Sequence, residues 1–182
     1  MIIKDYQQIS TKQGDSGTSK NYSNETYTKD DILFETLGTI DELSSQLGLT
    51  YHYTKYEFIK TIQQRLQTIN TLIATNKAAN VERFENLTKI QAEDIEALEK
   101  EEAAFLEANP LEPRFVLPGS DATLKGAYLD LARAIARRAE RTVVRFINHY
   151  KRDDLDKPRQ YLNRLSDLLF ILARNYDLGE EK

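Results

Sequence analysis

The sequence predicts an all-α protein, a five-helix bundle in which four helices form the core and one packs beside them. Apolar residues recur every three or four positions in five segments, a spacing that places them on one face of a helix. The connections between these segments are short, and no β-rich stretch separates them. Amphipathic helices joined in this way bury their apolar faces by packing into a bundle.

The first 30 residues are predicted to form a loop. Residues 1–30 are rich in Gly, Ser, Thr, Asn and Lys and show no periodic apolar pattern. Residues 31–182 are predicted to form a single helical domain, because a chain of 182 residues can bury a stable core as one unit.

The helix boundaries follow from the apolar periodicity and its interruptions. A polar stretch from Asn76 to Asn86 predicts a mobile linker after the second helix. Pro110 and Pro113 end the third helix, because proline lacks the helical N–H and restricts the residue before it. The predicted helices cover 31–54, Ile59 to Ile73, 89–107, 122–150 and 158–177.

An extended, strand-like segment is predicted from Arg114 to Leu117, before the fourth helix. The Pro-Gly pair that follows it favours a turn. Ser120 or Asp121 is then available to cap the helix, since short polar side chains accept hydrogen bonds from its first N–H groups. The core face of this helix is expected to carry Leu131, Ile135, Ala139, Thr142, Val143 and Phe146.

Composition excludes several classes of function. Without cysteine the chain has no disulfide, thiolate nucleophile or sulfur-ligated metal, which agrees with the reducing cytoplasm and makes a cytoplasmic location the expectation. No apolar run approaches the roughly 20 residues of a membrane helix, and residues 1–10 lack the pattern of a secretory signal. The net charge of −4 argues against a general nucleic-acid coat. Neither a membrane nor a nucleic acid is therefore expected as a partner.

A di-iron centre, which many ferritin-like bundles hold, is not predicted here. Such centres take their imidazole ligands from Glu-x-x-His pairs. The two histidines, His52 and His149, do not follow an acid at that spacing. We expect both to be surface residues, and no metal-ligating side chain is assigned.

The fourth helix carries an unusual concentration of arginine. Five arginines and one acid between Arg133 and Arg145 give a net charge of +4 on one helix. We call Arg133, Arg137, Arg138, Arg141 and Arg145 the arginine stripe, because residues four apart drift only about 40° around a helix axis. Like charges at this spacing repel one another, so either acids from other helices or a bound anion must neutralise them. The residues alone leave both alternatives open.

The N-terminal loop has the composition of a phosphate cradle. Gly14 and Gly17 would let backbone N–H groups approach an anion closely, and neighbouring lysines and hydroxyls add charge and donors. The glycine spacing does not fit a Walker A sequence. A flexible linker is the alternative interpretation.

Together these segments resemble the PduO-type ATP:cob(I)alamin adenosyltransferases. Residues Thr11 to Gly17 are similar to the family's Thr-Lys-x-Gly-Asp-x-Gly loop, and Gly38 to Ser45 resembles its Gly-x-x-Asp-Glu-Leu-Asn/Ser-Ser helix. Further likenesses follow in the same order at Phe115 to Gly119, Ala132-Arg133, Arg137-Arg138-Ala139-Glu140-Arg141 and Tyr161-Leu162-Asn163-Arg164-Leu165-Ser166-Asp167. The likeness covers residues 11 to about 175, and only residues 76–108 are unmatched.

The resemblance implies an activity and a set of partners. Members of this family transfer the 5′-deoxyadenosyl group of ATP to the cobalt of cob(I)alamin, with Mg²⁺ accompanying ATP and the corrinoid as substrate. They are homotrimers of cobalamin adenosyltransferase-like bundles, and their active sites lie between subunits. A reductase and a B12-dependent acceptor enzyme are further implied partners.

The resemblance also implies roles for individual residues. Arg137 belongs to both the catalytic and the nucleotide set. Phe115 matches a phenylalanine that packs by the lower face of the corrin and favours four-coordinate cob(II)alamin; a plain core role is the alternative. The catalytic set is Asp41, Phe115, Arg133 and Arg137, with Asp41 and Arg133 expected to form an ion pair near the corrinoid. The nucleotide set is Thr11, Lys12, Gln13, Gly14, Ser19, Lys20, Lys29, Arg137, Arg138, Glu140, Arg141 and Asn163.

The chain departs from the family pattern at a few positions. Ser120 replaces a glycine, Asp130 stands where the family commonly has histidine, and about two extra residues separate Phe115 from Arg133. Two other functions therefore stay open. One is a paralogue that binds ATP or a corrinoid as a sensor or delivery protein, and the other is a scaffold whose arginine stripe binds an acidic partner.

Overall fold

The computed structural model describes residues 3–79, 81–119 and 123–178 and confirms the all-α class. In these residues it contains six α-helices, one two-stranded sheet and two short 3₁₀-helices. The helices are α1 (Ile32–Thr54), α2 (Phe58–Ala74), α3 (Val81–Glu85), α4 (Ala92–Ala108), α5 (Leu124–Tyr150) and α6 (Asp156–Leu178). The strands are β1 (Thr18–Lys20) and β2 (Thr26–Thr28), and the 3₁₀-helices cover Tyr6–Gln8 and Asp153–Leu155.

Helix α5 lies at the centre of the bundle. It packs against both α1 and α6, while α2 packs on α1 and α4 packs on α6. The core between them consists of fully buried leucines and isoleucines such as Leu43, Ile62 and Leu165. Each such side chain contributes about 1.5–3 kcal/mol relative to an exposed position. The five predicted helices are these five long helices, and the observed ends lie close to the predicted ones.

Three expectations about the connections were wrong. The predicted loop at the N-terminus contains an antiparallel hairpin, in which Ser19 pairs with Tyr27. The polar linker after α2 contains the short helix α3, because Phe84 is buried against the bundle and holds it there. Residues Arg114 to Leu117 are irregular and form no strand.

Two details of α5 also differ from the expectation. Thr123 caps the helix, accepting a hydrogen bond from the N–H of Gly126 at 3.0 Å, whereas Ser120 and Asp121 lie outside the described residues. Leu131, which was assigned to the core, is 50% exposed, because neighbouring helices do not cover that part of the helix surface.

The hairpin is fastened to the end of α2 by a set of polar contacts that we call the hairpin clamp. The N–H of Tyr22 donates to the carbonyl of Ala74 at 2.9 Å, and the N–H of Asn76 donates to Ser23 Oγ at 2.9 Å. Glu25 accepts hydrogen bonds from Asn21 and from Asn76, both at 2.7 Å. These two bonds hold the pKa of Glu25 below its usual value.

The start of α1 is tied to the end of α5. Asp31 caps α1 by accepting from the N–H of Leu33 at 2.7 Å, and the hydroxyl of Tyr150 donates to both oxygens of Asp31 at 2.8 Å. Burial and the contact with Asp31 raise the pKa of Tyr150, so the phenol stays protonated. The chain that leaves the hairpin therefore enters the bundle at a fixed point. None of the described helices has the length and apolar character needed to traverse a lipid bilayer.

Glu102 on α4 predicts a pH dependence of stability. Its Oε1 atom is buried without a hydrogen-bond partner among the described residues. Burial raises the pKa of Glu102 from 4.5 to about 7. The positive charge of Arg164 lowers this pKa, whereas the negative charges of Asp167 and Glu99 raise it further. The favourable contribution of Glu102 to folding is therefore complete below about pH 4.5 and is lost as the pH rises through about 7.

We expect Glu102→Gln to make melting less sensitive to pH. Glutamine cannot ionise, so the melting temperature of the variant should gain on that of the wild type as the pH rises from about 5 to about 8. Thermal denaturation followed by circular dichroism measures the difference. Glu107→Gln, at an exposed position of the same helix, is the control. Identical pH profiles for the wild type and Glu102→Gln would contradict the assignment.

Candidate functional site

The arginine stripe lies on the outer surface of α5. Arg137, Arg138, Arg141 and Arg145 are exposed, and Arg133 is half-buried. The opposite face of the helix buries Ile135, Ala139 and Val143, so the helical period that forms the core also gathers the guanidinium groups on one side. The predicted arrangement of the arginines is observed.

Acidic side chains of the same chain neutralise little of the stripe. Arg138 forms an ion pair with Glu42 of α1. The guanidinium of Arg133 lies over the ring of Phe170, 5.5 Å from its centroid. Among residues 3–79, 81–119 and 123–178, no ion pair involves Arg137, Arg141 or Arg145. Three exposed guanidinium groups therefore line one helix face without a bound acid.

Glu140 and Asn163, both assigned to the nucleotide, are brought together by the packing of α5 on α6. The amide of Asn163 donates to Glu140 Oε1 at 3.1 Å. Asn163 is exposed and Glu140 is half-buried, so both remain accessible beside the stripe. The pair thus adds an amide and a carboxylate to the edge of a strongly basic surface.

The glycines of the N-terminal loop lie next to Lys29. The N–H of Lys29 donates to the carbonyl of Gly17 at 2.8 Å, and Gly17 has φ +80°, a conformation that favours glycine. A Cβ atom at Gly14 would lie 2.7 Å from Lys29 Nζ, so glycine leaves room for the ammonium group. The structure therefore brings Gly14, Gly17 and Lys29 together, and binding of phosphate there stays a prediction.

The other loop residues assigned to the nucleotide lie near this turn on the surface. Ser19 belongs to β1 and is half-buried, and Lys20 is exposed at the end of the same strand. Thr11, Lys12 and Gln13 are exposed, and Lys12 has φ 58°. Within the described part of one chain, no hydrogen bond joins residues 11–14 or Lys29 to the arginine stripe. The described residues of one subunit therefore show no direct link between the two halves of the assigned nucleotide site.

The predicted ion pair between Asp41 and Arg133 does not form within one chain. Asp41 is exposed and lines a groove of about 500 Å³ between α1 and α2, together with Gly38 and Asn70. Arg133 instead contacts Phe170 on α6. The described ion pairs include none between the two residues. Asp41 thus lies at the groove between α1 and α2, whereas Arg133 contacts a side chain of α6.

Phe115 lies on the surface. Its side chain is 88% exposed, which excludes the alternative that it belongs to the core. Leu117 in the same loop is 52% exposed. A cleft of about 210 Å³ lies beside the loop, lined by Pro110, Leu111, Glu112, Arg114, Val116, Phe170, Arg174, Asp177 and Leu178. The exposed ring stands next to this cleft, available to a ligand.

A buried polar network near the cleft was missed by sequence reasoning. Arg174 forms ion pairs with Asp130 at 2.5 Å and with Asp177 at 3.0 Å. Arg174 is 7% exposed and Asp130 is 6% exposed, so the first pair is withdrawn from water. The one available signal was Asp130, an acid on a helix face that otherwise carries apolar residues such as Leu129 and Ala132.

Comparison with known proteins identifies the family. A sequence profile described as Cobalamin adenosyltransferase matches residues 9–176. The chain belongs to the cobalamin adenosyltransferase family. Within this family, a corrinoid adenosyltransferase of Citrobacter freundii is 35% identical over 168 residues, covering 91% of this chain and 93% of that protein. The human corrinoid adenosyltransferase MMAB is 37% identical over 172 residues, covering 91% of this chain and 67% of that protein.

Solved structures of cobalamin adenosyltransferases share the fold. A variant of the PduO-type ATP:corrinoid adenosyltransferase of Lactobacillus reuteri, complexed with cobalamin and ATP, superposes with a TM-score of 0.81 at 28% identity and covers 93% of each chain. A second variant of that enzyme, complexed with ATP, gives a TM-score of 0.78 at 27% identity and covers 94% of this chain and 96% of the other. The resemblance found in the sequence motifs is thus confirmed for the family and for the helical architecture.

Proposed function

We propose that this member of the cobalamin adenosyltransferase family transfers the 5′-deoxyadenosyl group of ATP to the cobalt of cob(I)alamin and releases triphosphate. The observation that carries the proposal is the arginine stripe of α5, in which Arg137, Arg141 and Arg145 lack an acidic partner in the described chain. A polyphosphate neutralises such a surface through several charge-assisted hydrogen bonds. Because the relatives are named adenosyltransferases, we infer that this polyphosphate is the triphosphate of ATP.

The reaction needs positioning and charge neutralisation more than a reactive side chain. An electron pair on cobalt forms the new bond to C5′ of the ribose, and the bond from C5′ to the triphosphate oxygen breaks. The corrinoid is itself the nucleophile, so no protein base or covalent intermediate is required. Arg137, Arg141 and Lys29 stabilise the negative charge that develops on the leaving triphosphate. Glu140 and Asn163 bind the nucleotide at the edge of the stripe.

Magnesium accompanies ATP in this proposal. The described residues include no group of three or more His, Cys, Asp or Glu side chains that could hold a metal ion. Mg²⁺ is commonly bound through substrate phosphates with few protein ligands. It would therefore arrive with the triphosphate and help to neutralise it as it leaves.

The complete site is proposed to lie between the subunits of a homotrimer. Two observations on the described residues of one chain support this arrangement. No hydrogen bond joins the loop around Gly14 and Lys29 to the arginine stripe, and no ion pair joins Asp41 to Arg133. Contact between neighbouring subunits would bring both sets together.

The corrinoid is proposed to bind near Phe115 and Arg133. The exposed ring of Phe115 would pack by the lower face of the corrin and favour four-coordinate cob(II)alamin, the species that is reduced to cob(I)alamin. A reductase would supply the electron, and a B12-dependent enzyme would accept the product. The proposal places the enzyme in the cytoplasm, where ATP and reducing conditions are available.

The wild-type protein is expected to convert cob(I)alamin and Mg-ATP to adenosylcobalamin and intact triphosphate. Loss of the cob(I)alamin absorption band measures the reaction, and phosphate chromatography identifies the released product. Binding of ATP without loss of the band would favour a sensor or delivery protein. Failure to bind either ligand would favour a scaffold for an acidic partner.

The protein is expected to sediment as a trimer at micromolar concentration. Sedimentation equilibrium in dilute buffer gives the mass directly, and the single chain of 21.0 kDa provides the scale. A trimer would bring loop and stripe of different subunits within reach of one nucleotide. A stable monomer that retains full activity would show that the site is complete within one chain.

A further inference from the structure

The loop that carries Phe115 has little support of its own. Between α4 and α5 the described residues 110–119 form no helix or strand, and Phe115 and Leu117 are 88% and 52% exposed. One backbone hydrogen bond within the loop is described, from the N–H of Arg114 to the carbonyl of Glu112 at 2.8 Å. Loops with few buried contacts open easily unless they are held at their ends.

The last turns of α6 hold both ends of this loop. Where α4 ends, the side-chain amide of Asn109 donates to Asn175 Oδ1 at 2.8 Å. Where α5 begins, the N–H of Thr123 donates to Asp177 Oδ1 at 2.9 Å, and the hydroxyl of Thr123 donates to the same oxygen at 3.2 Å. Asn175 and Asp177 thus anchor the two ends from one helix.

Asp177 also forms an ion pair with the buried network behind it, although the Oδ2 atom of this carboxylate accepts no hydrogen bond from the described residues. Its second carboxylate oxygen lies 3.0 Å from the guanidinium of Arg174, which pairs with Asp130 at 2.5 Å. Gly126 lets the carboxylate approach α5, since a Cβ atom there would lie 2.0 Å from Asp177 Oδ1. Removing one member of such a buried set leaves an uncompensated charge, so loss of Asp177 is expected to disturb the contacts of Arg174.

The same network reaches the second residue assigned to the corrinoid. The guanidinium of Arg174 lies 5.7 Å from the ring centroid of Phe170, and that of Arg133 lies 5.5 Å from the same centroid. Arg174, Asp177 and Phe170 also line the cleft beside the loop. The network therefore connects the Phe115 loop with the side of α5 that carries Arg133.

We infer that Asp177, held by Arg174, is a positioning residue that fixes the Phe115 loop for corrinoid binding. It acts by anchoring Thr123 at the end of the loop and does not touch the substrate. The inference rests on the proposed function, in which Phe115 packs against the corrin. It assigns a role to a carboxylate that belongs to neither the catalytic set nor the nucleotide set.

The test compares Asp177→Ala with Asp177→Asn in the full-length protein. Alanine removes both the anchor and the ion pair, whereas asparagine keeps an oxygen that accepts from Thr123. With ATP bound, we expect Asp177→Ala to lower the fraction of four-coordinate cob(II)alamin, seen by magnetic circular dichroism, at least about threefold. Asp177→Asn should retain more than half of the signal. The Kd for ATP should stay within about twofold in both variants.

A second measurement follows the loop without any corrinoid. Trypsin cleaves after Arg114, which is exposed, and a loosened loop should be cut several times faster in Asp177→Ala than in the wild type. Asn109→Ala removes the other anchor, so it should change trypsin cleavage and the cob(II)alamin signal in the same direction as Asp177→Ala. It replaces Asp177→Ala in the test if that variant does not fold. Asp153→Asn, at an exposed position before α6, is the matched control and should change neither.

The outcomes separate this inference from the proposed function. A wild-type protein that forms no four-coordinate cob(II)alamin and no adenosylcobalamin would overturn the proposed function and the inference with it. A wild-type protein that forms both, with Asp177→Ala unchanged in the cob(II)alamin signal, would overturn the inference alone. Equal losses of ATP binding and of the cob(II)alamin signal would also overturn it, because they would indicate a general structural role.

Discussion

Arg137→Ala is expected to weaken ATP binding and to slow adenosyl transfer by about ten- to a hundredfold. Under the proposed function, the substitution removes a charge-assisted contact with phosphate, which contributes about 1.5–3 kcal/mol. Binding of cobalamin should be largely unaffected, because Phe115 and Arg133 are unchanged. Titration calorimetry with ATP and the cob(I)alamin assay give the two quantities.

Arg137 suits this test because its substitution should have little effect on stability. Its side chain is exposed and has no ion pair among the described residues, so stability should change by less than about 0.5 kcal/mol. Lys100→Ala is the control, since Lys100 is an exposed cation on α4 that belongs to neither the nucleotide set nor the catalytic set. Arg137→Lys keeps the charge and loses the planar fork, and should recover only part of the activity. Unchanged ATP affinity in Arg137→Ala would remove Arg137 from the nucleotide set.

Phe115→Ala is expected to have the opposite effect. The affinity for ATP should stay nearly constant, whereas the signal of four-coordinate cob(II)alamin should decline strongly, because no ring then packs by the lower face of the corrin. Magnetic circular dichroism or electron spin resonance with ATP bound measures this species. When cob(I)alamin is prepared with a strong chemical reductant, the rate of adenosyl transfer should decrease less than the rate of cob(II)alamin reduction.

The exposure of Phe115 removes the main risk of that experiment. A side chain that is 88% exposed contributes little to the core, so the variant should keep its helicity and melting temperature. Val81→Ala, which shortens a 57% exposed side chain on α3, is the control for loss of exposed apolar surface. If Arg137→Ala and Phe115→Ala weaken ATP binding equally, the proposed division between nucleotide and corrinoid residues is wrong.

Apolar periodicity was sufficient to predict the long helices. Core positions such as Leu43 on α1 and Leu165 on α6 follow the helical repeat, which depends on the local sequence alone. The position of Leu131 was not predictable in this way. Periodicity indicates which side of a helix is apolar, but not how far the neighbouring helices extend over that side.

Contacts between distant parts of the chain explain what the sequence did not predict. The hairpin strands have three residues each, and Glu25 of their connection binds Asn76, 51 positions away. Arg174 and Asp130, 44 positions apart, form a buried pair for which no local pattern exists. The motifs predicted the family, which the comparisons confirm, whereas the roles assigned to individual site residues stay predictions. The anchoring of the Phe115 loop depends on packing and became visible only in the fold.

The hairpin clamp has a consequence for the kinetics of nucleotide binding. Ordering a loop costs about 1–2 kcal/mol of backbone entropy per residue. When a protein orders a loop only on binding, this cost makes the binding free energy less favourable. Here Glu25, Asn76 and Tyr22 hold the hairpin against α2 in the unliganded chain, so this part of the entropy is already lost during folding. Under the proposed function, ATP meets a hairpin that is already formed. Its association rate is then set by electrostatic attraction to the basic groups, and should fall as salt screens them.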